Sequence, residues 1–332
     1  MDSAGYTEQC QSQFLKFFYA LIVPYLGPYP QNFRSAMTHN ELPLELSINF
    51  QQLGNTRPVV RVAVEPITSL SGTKADPYNL SPIREFLDAL EKLNPEGYDS
   101  RLFEHFYPKH TLSTSECQKL LAENEPIREL SQVSFGFDLK PSGISVKGYT
   151  FPALKCHAAE QDLCSAVLDS VREYLGDSDC HNTLPLIRDY IETTETTDAR
   201  ANFGFVYSND CTAPEKSRHK IYGRTKDMSW NKVREIWTLD GRVDSPGSRR
   251  GLEYLRRLWE LLQIGEGPHP LSLPLVWNYE TKARLTVPAT KIYFPLYGCK
   301  DRDNVRAIAQ YLTEIGLGVH ADVYEQNVQG YL

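Results

Sequence analysis

Four pairs of strand-like segments, each separated from the next by helical segments, constrain this chain more than anything else in it. The pairs are Leu44–Gln51 with Val59–Pro66, Glu129–Leu139 with Gly143–Phe151, Ala201–Ser208 with Arg218–Arg224, and Leu273–Tyr279 with Leu285–Pro295. A Gly54-Asn55 signal lies between the first two strands and Pro141-Ser142-Gly143 between the second two. Connections this short make each pair antiparallel, because a parallel crossover needs a dozen or more residues. Helical periodicity fills the intervals: Gln9–Val23 at the start, then Ile83–Leu93, Arg101–Phe106 and Ser113–Leu121. Glu160–Leu175 and Thr183–Thr193 follow the second pair, Ser229–Trp237 and Gly251–Gln263 the third, and Asp303–Ile315 and Ala321–Leu332 the fourth. Helices returning after every hairpin place one sheet against one layer of helices. Eight strands wrapped in that way curl into an α+β barrel ringed by helices. No Pro/Ser/Gly-rich linker divides the chain, so residues 1–332 read as one domain.

The second strands share a pattern: Lys147-Gly148-Tyr149, Lys220-Ile221-Tyr222 and Lys291-Ile292-Tyr293, the lysines 73 and then 71 positions apart. In the first hairpin Arg61 holds the corresponding place, and Arg218 precedes Lys220 by two. Side chains two apart in a strand share a face, so each lysine and its tyrosine project together. One K-x-Y in isolation is an ordinary half-exposed strand. Three in register with the hairpins line one surface, which in a barrel is the interior. Several cations there are costly unless an anion joins them. A diphosphate suits them, since Lys and Arg make charge-assisted bonds to phosphate oxygens. The tyrosine rings suit a neighbouring carbocation, through the negative face of each ring. Cations for a leaving diphosphate beside rings for an allylic cation describe an allylic ionisation site.

Composition excludes other classes. The net charge of −7 opposes a general nucleic-acid footprint. The seven cysteines include no C-x-x-C, and neither Cys156-His157 nor Cys180-His181 has the spacing of a metal site. No run of eighteen apolar residues or secretory leader occurs, so a soluble, cytoplasmic protein without membrane association is expected. A magnesium-dependent terpenoid synthase would need an Asp-rich helix. No D-D-x-x-D is present, and Asp301 and Asp303 do not supply one.

At this level the chain resembles the fungal dimethylallyltryptophan synthase family of aromatic prenyltransferases. The resemblance rests on FRSAMTHNELPLELSINFQ (33–51), VVRVAVEP (59–66), FGFDLK (135–140), VKGYTFPALK (146–155), HKIYGR (219–224), IWTLDGR (236–242), NYE (278–280) and ATKIYFP (289–295), in that order. It implies the prenyltransferase barrel, ten antiparallel strands in repeated helix-strand-strand-helix units. It also implies transfer of a dimethylallyl group from dimethylallyl diphosphate to an indole or related aromatic acceptor, without a metal or other cofactor. By this resemblance Glu45 accepts the indole N–H. Arg61, Lys147, Tyr149, Arg218, Lys220, Tyr222, Lys291 and Tyr293 form the diphosphate cage and cation shield, while Met37 and Phe151 contact the aromatic acceptor. Free tryptophan, a tryptophan-containing cyclic dipeptide and a larger indole alkaloid are the expected kinds of acceptor, with tyrosine and non-indole aromatics left open, and a monomer or homodimer is the expected state. In some relatives a lysine near the third strand restores aromaticity; VSFGFDL (133–139) contains no Lys or His, which leaves that base unassigned. Relatives carry a further helical segment at the start and a fifth hairpin at the end. The expected barrel is therefore shortened at both ends and lacks its last hairpin. A non-catalytic barrel binding a diphosphate or other small molecule is the alternative reading.

Overall fold

The computed structural model describes residues 1–332 except 31, 51–56, 124–126, 128, 177–182, 195–196, 284, 297, 299 and 331–332. The Gly54-Asn55 turn, the Cys180-His181 pair and Cys299 lie outside the described residues. The strands are β1 (Leu44–Asn49), β2 (Val59–Val64), β3 (Val133–Lys140), β4 (Gly143–Thr150), β5 (Phe203–Asp210), β6 (His219–Thr225), β7 (Leu275–Thr281) and β8 (Ala289–Tyr293). They form one antiparallel sheet in the order of the sequence, β1 and β8 being its end strands. Between and around the hairpins run α1 (Glu8–Phe17), α2 (Ser81–Leu93), α3 (Arg101–His110), α4 (Thr114–Glu123), α5 (Ala153–Ala158), α6 (Leu163–Leu175), α7 (Thr183–Thr193) and α8 (Thr197–Ala201). α9 (Trp230–Thr238), α10 (Pro246–Leu261), α11 (Asp301–Glu314) and α12 (Gly318–Gln329) complete the set.

The expected hairpins and their order are present, with ends that differ by a few residues. β5 extends to Asp210 and β7 to Thr281, beyond the expected ends at Ser208 and Tyr279. The expected first helix changes form midway: α1 gives way at Phe18 to a wider π turn through Ile22, followed by a tight turn at Val23–Tyr25 ahead of Gly27. α5 and α8 are single-turn elements, too short to show a period of 3.6 in sequence.

Alternation in the strands separates two environments. One face carries apolar side chains into a core shared with the helices. Phe135, Phe137, Val62 and Val64 meet Phe86, Leu90 and Phe103 of α2 and α3. Tyr207, Ile221, Trp277 and Tyr279 meet Val167, Ile187, Tyr190 and Ile236 of α6, α7 and α9. Full burial of each such side chain contributes about 1.5–3 kcal/mol. Two glycines permit close approach here. A Cβ on Gly148 would fall 2.2 Å from the Phe103 ring, and one on Gly223 the same distance from Trp277. The middle residue of the first K-x-Y is therefore small because α3 lies on it.

The other face carries the polar residues. Side chains mark several helix starts among the described residues: Thr7, Asp162, Ser229 and Ser245 each accept from the backbone of the first turn, and Ser113 binds Glu116. No helix among the described residues is long and apolar enough to cross a membrane.

Candidate active site

Cross-strand partners in an antiparallel ladder share a face, so the register shows which side chains meet in the interior. Arg61 lies opposite Asp138, which lies opposite Ser145, two residues short of Lys147. Lys147 lies opposite Asp210, and continuing the β5–β6 ladder by one step brings Arg218 opposite Asp210, two short of Lys220. Lys220 lies opposite Glu280, then Ala289, two short of Lys291. Each hairpin thus advances its cation by two residues. Two residues of rise across two strand spacings correspond to a strand tilt of about 35°, the tilt of a closed-barrel wall. A tilted wall brings Arg61, Lys147, Lys220 and Lys291 to one level. The repeat in sequence is a ring in space.

The same stagger aligns the tyrosines. Tyr149 and Tyr222 have ring centroids 6.4 Å apart with planes tilted by 55°, and Tyr222 and Tyr293 6.3 Å apart with planes 29° apart. All eight of the cage positions expected from sequence therefore face one interior surface. Burial raises the pKa of Tyr149 and Tyr222, and partial burial that of Tyr293, which stays 44% exposed on the end strand β8, so all three phenols are neutral. Asn278, opposite both Tyr222 and Lys291, donates to the Tyr293 hydroxyl at 2.8 Å.

Sequence reading missed the anions of this ring. Asp138 is 2.6 Å from Lys147 Nζ and 3.0 Å from Arg61 Nε. Asp210 accepts two bonds from the Arg218 guanidinium, at 2.6 and 3.0 Å, and lies 3.4 Å from Lys220 Nζ. Glu280 takes the remaining arm of Arg218 at 3.3 Å. The protein itself supplies part of the counter-charge that the five cations require. Five cations against three carboxylates leave a net charge of +2, available to a polyanion. Burial pushes the Lys147 ammonium down to about 8 while Asp138 pulls it up, and burial also lowers Lys220 and Lys291. Burial alone would raise Asp210, but Arg218 and Lys220 bring it to about 2. Six buried side-chain polar atoms have no hydrogen-bond partner among the described residues, and Arg61 Nε and Asn278 Oδ1 are two of them. The first is within ion-pair distance of Asp138 without the alignment of a hydrogen bond. Both lie in the ring.

Glu45 stands on β1 opposite Ala63, beside the Ser47–Arg61 pair. Its side chain is exposed on this end strand yet has protein around the carboxylate, and this partial burial raises its pKa. Tyr293, across the opening, interacts with the same charge. Phe151 follows Tyr149 by two just beyond β4, its amide bonded to Gln132 O at 3.0 Å. Met37 lies half-buried in the loop that leads to β1. The loop is tied to the sheet by Glu65, which binds Ser35 and Ser131.

A staggered antiparallel wall lined by cations and a row of neighbouring tyrosines, with helices outside, defines the prenyltransferase barrel. The family described as tryptophan dimethylallyltransferase matches residues 1–327. Prenyltransferase phqI of Penicillium fellutanum is 40% identical over 342 residues, spanning 99% of this chain and 73% of that protein. Echinulin prenyltransferase 1 of Aspergillus ruber is 37% identical over 98% of this chain and 80% of its own length. Among solved structures, NotF in complex with brevianamide F and DMSPP superposes with a TM-score of 0.89 at 35% identity, covering 99% of this chain and 81% of that one. The chain belongs to the tryptophan dimethylallyltransferase family and is an aromatic prenyltransferase, transferring a dimethylallyl group to an indole acceptor.

Proposed function

We propose that this protein prenylates a tryptophan-containing cyclic dipeptide or a close indole relative, with no metal ion in the reaction, and that residues 1–332 act as one catalytic unit in the cytoplasm. The observation that carries the reading is the levelled ring of cations beside a row of three neutral phenols. Arg61, Lys147, Arg218, Lys220 and Lys291 occupy the role that magnesium plays elsewhere, holding charge that develops on the departing diphosphate. The cage carboxylates are already engaged by these cations, which opposes their use as metal ligands. The relative bound to brevianamide F supports an indole acceptor larger than free tryptophan.

The reaction breaks the allylic C–O bond, and the diphosphate leaves with the electron pair. Tyr149, Tyr222 and Tyr293 face the resulting cation and keep water from it. Glu45 accepts the indole N–H and enriches the ring as a ring carbon forms the new C–C bond. That contact strengthens as positive charge reaches the ring, so it lowers the barrier rather than merely binding substrate. Loss of the ring proton restores aromaticity. The products are the prenylated indole, diphosphate and one proton. Burial already raises the pKa of Glu45, marking an environment in which an added hydrogen bond counts more than in water.

The test is incubation with dimethylallyl diphosphate, EDTA and a panel of aromatic acceptors, read by mass spectrometry for addition of one C5H8 unit. The expected result is a product from an indole acceptor that falls by about 10²–10³-fold in Glu45→Ala, the scale of losing one transition-state contact. Folded protein that binds diphosphate but gives no product with any acceptor would show a binding barrel instead.

A further inference from the structure

The most deeply buried carboxylate among the described residues lies outside the cage. Glu65 follows β2 directly, in the parity of Arg61 and Ala63, and has no exposed surface. Its amide donates to Pro43 O at 2.9 Å. Its Oε2 accepts from Ser35 Oγ at 2.5 Å and from Ser131 Oγ at 2.6 Å, and its Oε1 from Asn79 Nδ2 at 3.4 Å. No cation pairs with it among the described residues. Its donors come from three segments distant in sequence.

Two of those donors also hold the loop that carries Met37. Ser35 Oγ accepts from the Met37 amide at 3.2 Å, and Ser131 Oγ from the Ala36 amide at 2.8 Å. Beyond them the loop closes on itself: Ser35 N–H on Glu41 O, Glu41 N–H on Thr38 O, and Thr38 Oγ1 bonded to both backbone groups of Leu42. The loop is thus a closed turn whose deep anchor is a pair of serine hydroxyls on one carboxylate. It passes through Pro43 straight into β1, where Glu45 stands two residues later. The Glu65 amide fixes Pro43 and the Glu65 side chain fixes residues 35–37, so one residue controls both ends of the loop.

We propose that Glu65 is a positioning residue for the acceptor: through Ser35 and Ser131 it sets the height of Met37, and through Pro43 the placement of Glu45, relative to the allylic cation. This rests on the prenyl-transfer reading and on Met37 and Glu45 as acceptor contacts. A buried carboxylate held by neutral donors alone costs stability relative to an apolar side chain of the same size, and burial pushes its pKa up to about 7. What it supplies is direction, since only a two-oxygen acceptor at this point can take bonds from both serines and Asn79 at once. Gln keeps the shape but turns an NH2 toward one set of donors.

The experiment is steady-state kinetics of Glu65→Gln with dimethylallyl diphosphate and the indole acceptor that the wild type converts best, scored for KM of each substrate, for the ratio of prenyl isomers, and for dimethylallyl alcohol formed by water capture. Pyrophosphate binding by calorimetry reports on the cage. The expected result is an acceptor KM raised about tenfold or a changed isomer ratio, with more alcohol per product, while pyrophosphate affinity stays within twofold. Unchanged acceptor KM and isomer ratio would overturn the proposal, as would parallel loss of acceptor use and pyrophosphate binding. If Glu65→Gln does not fold, Ser35→Ala removes the loop side of the same contact and is held to the same outcomes. A wild type that yields no prenylated product with any acceptor would remove the prenyl-transfer reading and this inference with it.

Discussion

Replacing Asp138 with asparagine separates the cage's charge from its shape. The side chain keeps its volume, while Lys147 loses the carboxylate 2.6 Å away. Burial already pushes Lys147 down to about 8, and Asp138 is the chief group raising it. An opposite charge at this range supports the charged form by about 1–3 pKa units. Taking the low end, the substituted protein retains roughly one ammonium in eleven at pH 8, against one in two for the wild type. The expected deficit in kcat/KM for dimethylallyl diphosphate is therefore small at pH 6, about fivefold at pH 8, and near tenfold above pH 9. That parameter is the one to measure, because it reports the free enzyme's titrating groups rather than those of the loaded cage.

Stability should move the other way with pH. A lysine whose folded pKa lies below its unfolded value is destabilised below the folded pKa, and the penalty is relieved as pH rises through it toward about 10.5. Loss of Asp138 deepens that penalty, so the melting-temperature deficit of Asp138→Asn is largest near pH 6 and shrinks in alkali. Activity is hurt most where stability is hurt least. A loss of activity uniform across pH 6–9, or one that tracks the melting temperature, would refute a charge-setting role for Asp138.

Two further outcomes follow from packing and burial. Gly148→Ala drives a methyl into the Phe103 ring. It should cost about 1–3 kcal/mol in a urea titration and, by lifting β4 from α3, weaken pyrophosphate binding through Lys147; full stability would show that Phe103 swings aside freely. Burial lowers His110 to about 3 and His219 to about 4, the first between Thr150 and Ser170 and the second against Tyr207. Both are neutral in the fold but protonated when unfolded below about 6.5, so stability is complete above that value and declines as pH falls toward 4 and then 3. Each contributes a slope of up to about 1.4 kcal/mol per pH unit in that window. Urea midpoints measured from pH 7 to pH 4 should show His110→Gln less stable at pH 7 yet with a flatter acid slope, and an unchanged slope would place the titration elsewhere.

How far the sequence could be read depended on whether a residue's face was set locally. The cations and tyrosines were legible because three copies of one spacing share a parity, and parity needs only the strand itself. Asp138, Asp210 and Glu280 sit in first strands, where a single acid in a strand looks like an ordinary solvated residue. Asp210 and Glu280 also fall past the ends that the pattern suggested for their strands. Only the register shows that each faces a cation across the ladder. Glu65 was harder still: its burial is created by Ser35, Asn79 and Ser131, which no local period connects. The two-residue stagger has the same character. Three lysines at a regular spacing describe a stripe on a flat sheet as well as a ring in a barrel, and the choice lies in how each hairpin pairs with the next. In a flat sheet the lysines would step away from one another by two residues per hairpin, and no single diphosphate could reach them all. Tilt converts that step into a common level, so the chemistry of this site depends on the curvature of the sheet as directly as on the residues that line it.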